Sequence, residues 1–409
     1  MTPVRLLPED AAPYSPGGRL SGAVSRAVRA GDRVFLSGAT ALRPDGSVAG
    51  LGDAAAQAEA TLDAIETALQ ASGGSLADIT RLTTCLVDRG HRKAVYDVIG
   101  RRLKNVFPVG TGLVVAGLVR PELMVQIDAE AVLGGVQRLR TFALKDWYGQ
   151  DIAWQGAMVA AGREEIFLRG QTGSALDGSG MAGLGRRPED AAAQADLALT
   201  NLATLLGEAG SGLEDICRIT VFITDRAYRE AVYPVIGRHL RGIHPVSTGV
   251  IVPALARPEL LFEIDAQVMR SGAGAHRRVR PYHSSAVRYG TMSQPLDCDF
   301  CMAVRAGSLV TLRGQTGTDL DEVMHGAGDA VAQAEQAMAN VAILLAEADA
   351  GLADVVKATV YVTDRAFLAG VCDVVLRHLA GVAPAFSAVV VKGLASPELL
   401  MEVDITAVT

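Results

Sequence analysis

No stretch of this 409-residue chain is both uncharged and apolar over the roughly 18 residues that a membrane-spanning helix needs. The opening MTPVRLLPEDAAPYSPGG carries acidic residues and prolines where a secretory signal carries an apolar core, which points to a cytoplasmic protein. No block of Lys or Arg interrupts a chain of formal net charge −7, so neither nucleic acid nor a membrane is an expected partner. Cysteine is sparse and odd in number. Cys85, Cys217, Cys298, Cys301 and Cys372 read as reduced thiols and not as a disulfide framework. What remains is a globular balance, 49% hydrophobic and 20% charged, with ample material for buried cores.

What the chain does have is repetition. DAAAQAEATL at 53–62 returns as DAAAQADLAL at 190–199 and DAVAQAEQAM at 329–338. TTCLVDR (83–89) returns as TVFITDR (220–226) and TVYVTDR (359–365), and RPELMVQIDA (120–129) as RPELLFEIDA (257–266) and SPELLMEVDI (396–405). Every landmark recurs first 137 and then 139 residues on, so a whole domain is present three times, over residues 1–134, 135–270 and 271–409. Within a unit, RVFLSGAT and its partners IFLRGQTG and VTLRGQTG read as a strand entering a turn. Asp53, Asp190 and Asp329 are expected to cap an Ala-rich helix whose apolar residues (Leu62, Ile65 and Leu69 in the first copy) recur at helical spacing. A strand ending at Asp-Arg, a second helix and two closing strands follow, at 110–118 and 123–133 in the first copy. Both helices can cover one face of one sheet, an α+β layer. The basic segments 134–146 and 270–284 read as linkers, and the Gly-rich run at 174–190 as a surface insertion of about five residues.

Taken in order and three times over, the SGQ/RGQ turn, the D-x-x-AQA helix, the TVYxTD strand, the FPxxTxVxV strand and the final EID strand resemble the RidA/YjgF family, the reactive-intermediate deaminases. The resemblance implies chorismate-mutase-like domains that assemble as a trimer around a central β-barrel, with active sites between subunits. Here one chain would supply all three, as an intramolecular pseudo-trimer, with further association left open. It also implies an Arg two residues after the Pro of FPxxT, which clamps the carboxylate of a 2-imino or 2-enamino acid. FPVGTGLVV, HPVSTGVIV and APAFSAVVV have Gly110, Ser247 and Phe386 there, so that clamp is absent from every copy. The family's acidic water-holding residue corresponds to Glu263 and Glu402, with Gln126 in the first copy, where general-base work is lost. Its Ser-Gly turn survives as Ser37-Gly38 and becomes Arg169-Gly170 and Arg313-Gly314, arginines that would supply the missing charge from across a pocket. The family's cysteine is replaced by Gly112, Gly249 and Ala388, which excludes thiol catalysis at that point.

Several features read more plainly as structure. Asp128, Asp265 and Asp404 share a strand face with the glutamates and suit hydrogen bonding inside the barrel. Cys298 and Cys301 form a CxxC with no second pair and no nearby His, so ordinary buried thiols are expected and no metal or organic cofactor is implied. Trp147, Tyr148 and Trp154, with Phe300 as the third-copy counterpart, read as core packing. The function expected is a hydrolase of imine-, enamine- or amide-type small molecules at pockets between repeats. Glu263 and Glu402 would be catalytic, and Arg169, Gly170, Arg313, Gly314, Ser37, Gly38, Gln126, Ser247, Gly110 and Phe386 would line the sites. The alternatives are a non-catalytic small-molecule-binding protein and a ring-opening cyclic amidohydrolase. The last relies on Ser–Lys pairs, and Lys104, Lys145, Lys357 and Lys392 share no common position.

Overall fold

The computed structural model describes residues 3–6, 24–145, 151–272, 276–286, 288–289, 292–293 and 296–409. The three repeats build sheets of eight, seven and six strands that share one six-strand path, the first sheet also taking Ala254–Leu255 of the second repeat at its edge. In the first repeat that path runs Val4–Leu6, Ala27–Ala30, Arg33–Leu36, Val125–Val132, Ile79–Leu86, Val109–Val114. Neighbours are antiparallel except the last pair, which is parallel and joined by a helix, as a crossover requires. The second and third sheets repeat this order from Gln137–Ala143 to Val246–Ile251 and from Arg277–Val279 to Ala385–Val390. The segments expected as linkers are therefore the first strands of the following sheets. Their exposed, charged residues suit an edge strand, where few apolar contacts are demanded.

Two helices cover each sheet. The long ones are Ala54–Ala71, Pro188–Glu208 and Ala330–Glu347, and their small apolar faces bury Leu62, Ile65, Leu199, Leu202, Met338 and Val341 completely. Asp53 and Asp329 cap the first and third as expected, each accepting two backbone N–H groups. The second helix starts earlier. Its insertion places Pro188 in the first turn, Arg187 becomes the cap residue, and Asp190 accepts the Arg187 N–H from inside the helix instead.

The Asp-Arg pair that ends the middle strand has two uses. Asp88, Asp225 and Asp364 cap the short turns that lead into the second helices, Arg92–Arg102, Arg229–His239 and Leu368–His378. The arginines beside them reach out of their own repeat. Arg89 donates to the Leu255 carbonyl, Arg226 to that of Leu394, and Arg365 to that of Leu118, at 3.0, 3.0 and 3.2 Å. The first repeat thus holds the second, the second the third, and the third the first.

A parallel set of contacts lines the interior. Arg81 pairs with Asp265 at 2.6 Å, Arg218 stands 4.0 Å from Asp404, and Lys357 pairs with Asp128 at 2.6 Å. Thr111, Thr248 and Ser387 donate to the same three carboxylates. The three aspartates are thus structural acceptors between repeats, and each receives a cation and a hydroxyl, as buried charges require. A cavity of about 140 Å³ lies between these rows and is lined by all three repeats.

Candidate functional site

The first of two similar pockets lies between the first and second repeats. The strand position Gly110 and the helix residues Arg92 and Tyr96 come from the first repeat, and Arg169 and Glu263 from the second. Arg92 stacks over the Tyr96 ring at 5.0 Å, and Trp154 meets the same ring edge-on at 5.7 Å. A Cβ on residue 112 would lie 2.4 Å from the Tyr96 hydroxyl, so glycine there makes room for the tyrosine. Gly170 does the same for the acid, since a Cβ there would fall 2.2 Å from Glu263 Oε1. Burial pushes the Glu263 carboxyl up to about 8, helped by Asp265 and opposed by Arg169 and Arg92. At neutral pH the group is therefore mostly a carboxylic acid, able to give a proton before it takes one.

The second pocket repeats this plan between the second and third repeats, with Ser247, Arg229 and Tyr233 facing Arg313 and Glu402. Arg229 sits 4.1 Å over the Tyr233 ring, and Phe300 meets that ring edge-on at 6.4 Å. Glu402 is likewise pushed up to about 8 by burial first and Asp404 second, against Arg313, Arg229 and Arg218. The cavities are about 40 and 30 Å³. A single water needs roughly 10–15 Å³ of such space, so each pocket suits only a small ligand.

The interface between the third and first repeats has lost this constellation position by position. Leu368 stands where Arg92 and Arg229 stand, Cys372 replaces the tyrosines, Ser37 the arginines of the turn, and Gln126 the glutamates. Phe386, in the register of Gly110 and Ser247, is fully buried in the core of the third repeat. The Ser37 hydroxyl donates to the Ser25 carbonyl and accepts from Phe386 N–H, and Gly38 N–H donates to the Phe386 carbonyl and the Ser387 hydroxyl. Gln126 is buried against Asp128. Of the residues expected to line a binding site here, Ser37 and Gly38 line a separate cavity of about 480 Å³ within the first repeat and Gln126 lines the cavity between the three repeats, while Phe386 is packed in the core. Their polar groups are spent on one another, and a benzyl group occupies the position that the other pockets leave to hydrogen or hydroxymethyl.

The sequence pattern of the family described as endoribonuclease L-PSP matches residues 19–133, 158–269 and 295–409. The chain belongs to this family, the YjgF/RidA group, three times over. Among its relatives, this triplicated YjgF/RidA chain is 34% identical over 116 residues to the uncharacterized protein SCO2049 of Streptomyces coelicolor, covering 27% of the chain and 83% of that protein. Rv2704 of Mycobacterium tuberculosis, a YjgF/YER057c/UK114 member of known structure, is 30% identical, covering 33% of the chain and all of its own, with a TM-score of 0.27. A chorismatase structure covers 81% of the chain and 93% of its own at a TM-score of 0.54. At 15% identity that likeness concerns the fold alone.

Sequence reading of the YjgF/RidA chain passed over Arg92, Arg229, Tyr96 and Tyr233, although a signal was there. RKAVY (92–96) and REAVY (229–233) agree in the first two copies, while the third has LAGVC (368–372). Trp154 and Phe300 both line pockets, and by strand register Phe300 matches Gly156 while Trp154 matches Cys298. The large ring and the small residue have changed places along the strand. Trp147 and Tyr148 lie outside the described residues. Cys298 and Cys301 donate to the carbonyls of Tyr233 and His244 respectively, and burial pushes both thiols up to about 12, so the pair is inert packing. Among the described residues no group of three His, Cys, Asp or Glu is placed to hold a metal, and no helix is long and apolar enough to cross a membrane.

Proposed function

We propose that the chain is a hydrolase of small imine- or enamine-type carboxylates, working at two of its three inter-repeat pockets. One observation carries this reading: a buried carboxyl raised to about 8 sits in each pocket with guanidinium groups from both repeats. The arginine clamp missing from the strand is made good by Arg92 and Arg169 in the first pocket and by Arg229 and Arg313 in the second, where they bind the substrate carboxylate. Glu263 or Glu402 gives its proton to the enamine carbon or imine nitrogen, leaving a C=N cation. The resulting carboxylate takes a proton from water as the water oxygen bonds to that carbon. The reprotonated glutamate then gives that proton to the amine nitrogen, the C–N bond breaks with its electron pair on nitrogen as the new hydroxyl returns its proton to the carboxylate, ammonia leaves, and a 2-oxo acid remains.

The cyclic contacts support a larger inference, that the three repeats stand as a pseudo-trimer with their sheets forming a central barrel. The small enclosed pockets and the net negative chain favour a small-molecule substrate in a cytoplasmic setting over nucleic acid or a membrane. The test is release of ammonia and 2-oxo acid from 2-iminopropanoate generated in situ. The wild-type chain should exceed the spontaneous rate, and Glu263→Gln with Glu402→Gln should return it to that rate. Hydrolysis unchanged in the double variant, or a wild type no faster than buffer, would overturn the reading.

A further inference from the structure

The two pockets share their acid and their arginines, and differ where hydroxyls are concerned. Ser247 replaces Gly110 at the same strand register. Tyr282 lies under Arg313 at 5.6 Å, where Phe142 lies under Arg169 at 5.3 Å. Tyr96 in the first pocket shares its hydroxyl with Thr84, but the residue paired with Gly249 beside Tyr233 is Val221, which has no hydroxyl to offer. Among the described residues the hydroxyls of Ser247, Tyr233 and Tyr282 make no hydrogen bond to the protein, and all three residues line the second pocket. The first pocket offers Gly110, Leu144 and Trp154 instead. Polar groups cost stability unless something meets them, and these three face pocket space that a ligand can enter.

We infer that the second pocket binds a hydroxyl-bearing small 2-oxo or 2-imino acid through Ser247 and Tyr282, while the first takes the apolar counterpart of the same size. This rests on the reading of both pockets as carboxylate-binding sites. A site built to hydrogen-bond a substrate hydroxyl rejects the analogue without it strongly, because its own polar groups are left unmet. An apolar pocket discriminates only weakly in return. The preference is therefore lopsided, large in the second pocket and small in the first.

The test uses two stable, near-isosteric probes, 3-hydroxypyruvate and 2-oxobutanoate, titrated calorimetrically into the full chain. Arg169→Gln disables the first pocket and Arg313→Gln the second. The Arg169→Gln chain should bind 3-hydroxypyruvate at least about tenfold tighter than 2-oxobutanoate, and the Arg313→Gln chain should favour 2-oxobutanoate by about threefold or less. Adding Ser247→Gly and Tyr282→Phe to Arg169→Gln should abolish the tenfold preference and keep 2-oxobutanoate binding. Both changes install the residue that the first pocket already carries, so the fold tolerates each type. Equal affinity for the two probes in Arg169→Gln, a preference that survives the double change, or no binding of either probe would overturn the inference. Preferences as expected without imine hydrolysis would sink the hydrolase reading alone.

Discussion

The interface between the third and first repeats and the two pockets are built on the same strands and helices, yet one has lost its acid and its arginines. Six positions have changed together there, and each change makes sense only beside the others. Without a buried acid there is no carboxyl for a guanidinium to serve, so Arg gives way to Leu368 and Ser37. Without the arginine there is no cation to stack on a tyrosine, and Cys372 with Ala388 replaces the Tyr–Gly pair at smaller volume. Phe386 then fills the space with apolar surface, worth roughly 2–3 kcal/mol when fully buried. The contrast teaches that fusing three copies removes the symmetry that would force a change into every site. One interface is freed for apolar packing, and two keep a buried acid with its arginines and the cost of burying them.

That contrast can be broken by mutation. Arg92→Ala with Arg229→Ala should lower kcat/KM on 2-iminopropanoate by on the order of a hundredfold or more, because each removes one of two charges that hold a buried carboxylate. Phe386→Ala should leave turnover per folded molecule unchanged and lower stability by about 3–5 kcal/mol. Steady-state kinetics beside denaturant melts separates the two. A turnover defect in Phe386→Ala of the size seen in the arginine variant would mean that the third interface is catalytic.

A smaller effect follows from pH. Glu263 and Glu402 are raised to about 8, against about 4.3 for a glutamate in an unfolded chain. The folded state therefore holds more protons than the unfolded one between those values, and stability falls as pH rises through that window. Glu263→Gln with Glu402→Gln should make the chain more stable than wild type at pH 8 by on the order of a few kcal/mol per site, with little difference at pH 4. Turnover in the wild type should fall as pH passes about 8, since the acid form donates the first proton. The third interface carries Gln126 and should add nothing to this dependence. A stability difference that does not vary with pH would remove the protonated acid from the account.

Much of the architecture is legible in the sequence, because a triplicated phrase fixes its own spacing and the D-x-x-AQA and Asp-Arg landmarks have local causes in capping and turns. Glu263, Glu402, Arg169 and Arg313 are singled out in the sequence only through the family resemblance, since no local rule of capping or turns marks them. The partners they meet are not. Which repeat faces which depends on contacts such as Arg365 to Leu118, formed across more than half the chain, and no local pattern encodes that. Arg92 and Tyr96 lie on a helix whose exposed face looks ordinary until the neighbouring repeat closes over it. The edge strand Gln137–Ala143 was missed because an exposed, charged edge lacks the alternation that marks a half-buried strand.

The central claim is that two interfaces carry an acid with its arginines and bind a small acid, and the third does not. Equilibrium dialysis of radiolabelled 2-oxobutanoate against the wild-type chain at saturation counts the sites directly. The account predicts two molecules bound per chain, falling to one in Arg169→Gln or Arg313→Gln and to none when both are changed. Three per chain, or two that persist when both arginines are gone, would contradict it.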